Sequence, residues 1–137
     1  MRVLLLVLSG FAALFSAATL VHHYRVKRLA KTRRGMGFDD FLAYFAGEQI
    51  PRDKLFVVFE YLQEWQSVKD FPVHPTDDLC KVYGMCEEDI DDAVIELAEK
   101  WRVLLPAEFE GIDPIHTVAE LVRLLAGLPY GKDDTPI

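Results

Sequence analysis

A long stretch near the start of this chain has no charge, and a long stretch further on has no serine or threonine. No Asp, Glu, Lys or Arg lies between Val3 and Val21, a run of 19 residues, and residues 1–34 hold no acid at all. At about 1.5 Å per residue such a run nearly crosses a hydrocarbon core of about 30 Å. Serine is confined to Ser9, Ser16 and Ser67, and residues 77–116 contain neither Ser nor Thr. Only two cysteines occur, Cys80 and Cys86, without a CxxC, which excludes a disulfide framework. They read as reduced, packed thiols, with a redox pair as the alternative. The four histidines (His22, His23, His74 and His116) never stand at i, i+4 from one another or from a cysteine, so no zinc site is expected. There is no Gly-rich phosphate loop, and no nucleophile stands with a base. The expectation is a protein that is not an enzyme, with no metal and no cofactor.

The charge that is present is divided. Residues 1–34 carry seven Lys/Arg, and the remainder carries eight against all 22 acids, a formal charge of −14. An acidic body repels phosphate and argues against nucleic acid. The uncharged run predicts a transmembrane anchor over 1–23. A basic juxtamembrane linker follows over 24–37, with Arg25, Lys27, Arg28, Lys31, Arg33 and Arg34 suited to anionic head groups. Basic residues directly after the span oppose export, so the body is expected on the cytoplasmic side. A cleaved signal peptide is the competing reading, with Ser16-Ala17-Ala18 as its cleavage site. Ser9, Ala13 and Ala17 line one helix face; this reads as an Ala-rich span before a helix-pairing motif.

Gly35-Met36-Gly37 marks a boundary, and 38–128 reads as one helical domain with a flexible tail over 129–137. Phe38, Phe41, Leu42 and Phe45 share one face of a short helix closed by Gly47 and Pro51. Leu55, Val58, Phe59, Leu62 and Trp65 repeat a helical stripe to about Ser67. Pro72 and Pro75 forbid a continuous helix through 68–75. A short turn at 77–83 stops at Gly84. The main helix is expected over 87–103, its stripe being Ile90, Ala93, Val94, Leu97, Trp101 and Leu104. One helical turn at Ala107–Glu110 and a last helix over 115–126, with Val118, Leu121, Val122 and Leu125 inward, complete the chain. No alternating strand pattern appears, because Val57-Val58-Phe59 lies inside a helical period. The fold class is therefore all-α, a transmembrane helix followed by a small four-helix bundle. The set Phe38, Phe41, Phe45, Phe56, Phe59, Trp65 and Trp101 reads as core rather than as a ligand cage.

The order of helices and the wording of the central one resemble the acyl carrier protein superfamily over about residues 76–126, and more loosely over 52–67. Gly84 stands for that family's turn glycine, Leu97 and Trp101 for its core Leu and Phe, Leu105-Pro106 for its Ile-Pro pair, and Thr117-Val118 for its Thr-Val. The resemblance implies a site at the start of the central helix, where the family's serine carries phosphopantetheine. Here Glu87 occupies that place, and residues 77–116 hold no Ser or Thr to replace it. The chain is similar to a serine-less bacterial branch of the superfamily.

Glu87, Glu88, Asp89, Asp91 and Asp92 crowd the first turns of the central helix, where the helix dipole favours negative charge. Asp89-x-Asp91 lacks the Gly and the terminal Glu of a calcium loop. Read functionally, the run is a docking face for a basic protein partner, as the resemblance implies. The expected function is a non-catalytic, acyl-carrier-like interaction module tethered to a bacterial inner membrane. Two alternatives stand beside it: a carrier of lipid or polyketide metabolism loaded at an unconventional site, and an exported small helical protein.

Overall fold

The computed structural model describes residues 1–107 and 113–131. The described residues form six α-helices and no strand; only two isolated bridges, Asp78 with Thr117 and Val103 with Tyr130, pair extended backbone. The chain divides into two compact units, Met1–Gly35 and Met36–Ile137.

The first unit is one helix, α1 (Arg2–Thr32). The basic stretch expected as a linker is therefore helical as far as Thr32, and Gly35, at φ 91°, follows in a backbone region that side chains disfavour. The helix is long and apolar enough to cross a membrane, a test that a signal sequence also passes. Its few hydroxyls turn back on the helix: Ser9, Ser16 and Thr19 donate to the carbonyls of Leu6, Ala12 and Phe15 at 2.8–2.9 Å. Polar groups satisfied within their own helix are what a hydrocarbon solvent demands.

The second unit begins with α2 (Phe38–Tyr44). The Gly37 backbone N–H donates to the Asp40 carboxylate at 2.8 Å and fixes the helix start. After Pro51 comes α3 (Arg52–Trp65), whose Leu55, Val58, Phe59 and Leu62 are buried. A non-helical segment leads to α4 (Leu79–Tyr83), capped by Asp78, whose side chain accepts from the Lys81 N–H at 2.8 Å. Gly84 ends it in the left-handed conformation, φ 68°, that glycine enters without strain. Two residues later starts α5 (Glu87–Trp101), and α6 (Val118–Ala126) closes the order. α3 packs against both α2 and α5, and α5 against α6.

The core is made by the predicted stripes, with exceptions at their ends. Ala93, Val94, Leu97 and Trp101 of α5 are buried, as are Val118, Leu121, Val122 and Leu125 of α6. Leu104 is 52% exposed, because α5 stops at Trp101 and Arg102 turns left-handed at φ 56°. The chain is drawn off by backbone pairing: Leu104 donates to the Pro129 carbonyl and Gly131 to that of Arg102. Pro129 and Gly131, expected in a flexible tail, are thus hydrogen-bonded to residues just past the end of α5. The expected start of the last helix at 115 also shifts. Thr117 caps α6 instead, its hydroxyl accepting from the Glu120 N–H while the Glu120 carboxylate accepts from the Thr117 N–H, both at 3.2 Å.

Of the seven aromatics read as core, Phe41, Phe45, Phe59 and Trp101 are buried and Phe38 is half-buried, whereas Phe56 and Trp65 lie at the surface. Trp65 has a polar reason: its indole N–H donates to the Tyr83 carbonyl at 2.9 Å, anchoring the end of α4. The helical turn expected at Ala107–Glu110 falls largely outside the described residues.

Candidate functional site

The start of α5 is built by a capping exchange. Cys86 is the N-cap, and its backbone N–H donates to the Asp89 carboxylate at 2.9 Å. The Cys86 thiol and that N–H together hold Asp89 below the usual carboxylate range. Glu87 is the first helical residue and is exposed. Cys80 and Cys86 are both free and exposed, not packed in the core as their sequence reading had it.

The five acids spread around the first turns of α5. Glu87 and Asp91, one turn apart, flank Ile90 on one side of α5 and line a groove. Asp89 and Asp92 lie toward α3. There, burial first and then the charges of Glu96, Asp92 and Asp89 push the Tyr61 phenol above its usual range. Glu88 is exposed. Ile90, placed in the core stripe by its period, is half-buried and belongs to the groove.

That groove has a volume of about 680 Å³. One wall is α4 and the turn after it, with Cys80, Met85 and Cys86; the opposite wall is the segment 113–116, including Ile115 and His116. Backbone pairing brings the walls together: the Leu79 N–H donates to the His116 carbonyl at 2.8 Å, and the Val118 N–H to that of Asp77 at 3.1 Å. Buried Asp77 braces the joint, its carboxylate accepting from the Tyr83 hydroxyl and the His74 N–H, each at 3.0 Å.

The basic residues expected at the membrane belong to the first unit. Arg25, Lys27, Arg28, Lys31 and Arg34 are exposed and Arg33 is half-buried. Among the described residues no group of three or more His, Cys, Asp or Glu could hold a metal ion. The groove was not read from sequence, because its walls come from separate segments joined by backbone bonds that have no local signature. The one available hint was that Ile115 and Pro114 are apolar residues ahead of the Thr117 cap, and so outside α6.

Chemically, the arrangement offers carboxylates, two thiols and an apolar hollow, with no hydroxyl nucleophile. Comparison with protein-family models, with curated proteins and with solved structures finds no match.

Proposed function

We propose that the protein is a non-catalytic, membrane-tethered interaction module, built like an acyl carrier domain but lacking the phosphopantetheine serine. On this reading α1 is an uncleaved anchor in a bacterial inner membrane. The cations from Arg25 to Arg34 hold its following end on the cytoplasmic, anionic leaflet. The order of long α3, short α4, long α5 and short α6 supports a four-helix acyl-carrier-like domain.

One observation carries the reading. The exposed start of α5 presents Glu87 capped by Cys86, acidic and without Ser or Thr, at the place the resemblance assigns to the superfamily's arm. What remains at that place is charge, and on this reading the charge serves recognition. Glu87, Glu88, Asp89, Asp91 and Asp92 meet a basic protein partner, supplying on-rate and selectivity more than affinity. The tether raises the local concentration and compensates for a weak contact.

The test is reversal of Asp91→Arg with Asp92→Arg in the full-length chain. The partners that co-purify with wild type are expected to be lost, and an unchanged set would sink the reading. Loading through a thiol is the second reading, favoured by the exposure of Cys86 beside Glu87.

A further inference from the structure

We infer that the groove between α4, the start of α5 and residues 113–116 takes the apolar face of a basic amphipathic helix supplied by a protein partner. The inference rests on the proposal that acidic α5 is a docking surface, and adds where the partner's apolar side chains go.

Size argues first. A hollow of about 680 Å³ is larger than one side chain needs and falls within the range of built ligand sites. Two or three side chains from successive turns of a helix fill such a space, which is the helix-in-groove mode of peptide recognition.

Chemistry argues second. Met85, Ile90 and Ile115 give the hollow its apolar surface, while Glu87, Asp91 and Asp113 stand around it. The cation beside them, Lys81, lies 3.9 Å from the Asp78 carboxylate. An apolar hollow inside a ring of carboxylates rejects phosphorylated and carboxylated ligands and accepts an apolar stripe flanked by Lys or Arg. A helix with apolar residues at i, i+3 and i+4 and cations beside them has that pattern. A second copy docking body to body does not, since the remainder of the chain after residue 34 carries a formal charge of −14.

Cys80 and Cys86 line the same groove and are exposed, so they report its occupancy. The experiment uses the full-length chain in nanodiscs of zwitterionic lipid. The probes are a Leu–Lys amphipathic peptide and the same peptide with every Leu replaced by Ser, at equal charge. Peptide binding is read by fluorescence anisotropy, and thiol reactivity by the rate of alkylation. The Leu–Lys peptide is expected to bind at least about tenfold tighter than the Ser–Lys peptide, a factor smaller than burial of one leucine supplies. It is expected to slow alkylation of both cysteines, and Ile90→Ala with Ile115→Ala to remove that protection and the tenfold preference.

The failures separate. Equal binding of the two peptides, with both thiols still reactive, overturns the groove and leaves the acidic docking face standing. No binding of either peptide overturns both. Thiols already unreactive before peptide is added would show that a lipid or a second copy fills the hollow, and would overturn the inference.

Discussion

In α1 the side chains of Leu4, Leu8, Phe11 and Phe15 are each more than half exposed, whereas Leu55, Leu62, Leu97 and Leu125 of the second unit are at most 1% exposed. The residue types are alike and their surroundings are opposite. In the second unit, apolar stripes on several helices face one another and leave charge outside. Over residues 3–21 of α1 the apolar surface runs all round the helix, with no charge to mark an outer face. Burial of a leucine is worth about 1.5–3 kcal/mol wherever it happens. The second unit obtains it from its own chain, and α1 is long and apolar enough to obtain it from a bilayer. The distribution of charge follows: cations gather where α1 leaves the apolar run, and acids cover the helices that have a core beneath them.

The comparison breaks most visibly in the middle of α1. Phe11→Lys with Leu14→Lys adds roughly 3 kcal/mol of insertion cost for each residue. The double variant is expected to leave the membrane fraction on alkaline extraction, with the circular dichroism of the second unit retained. N-terminal sequencing of the wild-type chain from membranes is expected to find the intact start; a start near Thr19 would convert α1 from an anchor into an export signal.

Leu97→Ala is the matching change in the second unit, and costs about 2–5 kcal/mol through the cavity it leaves. Urea unfolding is the measurement, and Leu8→Ala is expected to leave the same transition where it was. A smaller effect belongs to the joint under the groove. Tyr83→Phe removes the hydroxyl that donates to buried Asp77 at 3.0 Å, and is expected to lower stability by about 1–2 kcal/mol.

The smallest effect is one of pH. The N–H groups of His116 and Thr117 hold Glu120 below the usual glutamate range. Its folded pKa is depressed, so its contribution is present above the unfolded value and is lost as pH falls through the folded one. Melting temperature is expected to drop on acidification below the ordinary glutamate range. The drop is expected to be shallower in Glu120→Gln. Glu48, held down by the Arg123 guanidinium at 2.8 Å, acts in the same direction at the surface.

Local rules made much of this legible. The period of α5 identified Ala93, Val94, Leu97 and Trp101 as core, and Gly84 was a stop that the left-handed turn explains. What escaped depended on distant partners. α5 ends before Val103 because that residue pairs with Tyr130, and nothing near Val103 announces the pairing. Ile90 fits the stripe by count, yet faces a hollow whose other wall arrives with residues 113–116. The acids Glu87 to Asp92 were legible as charge, and their division between the groove and the Tyr61 side was not. The box Thr117-x-x-Glu120 was present in the sequence and places the start of α6 at Val118.

The account stands on the start of α5 lacking a loading group. The direct measurement is the intact mass of the full-length chain from its native host, before and after incubation with a phosphopantetheinyl transferase and coenzyme A. An unshifted mass in both samples is the predicted result. A gain of one phosphopantetheine in either would contradict the account and make the chain a carrier, with Cys86 the first residue to examine.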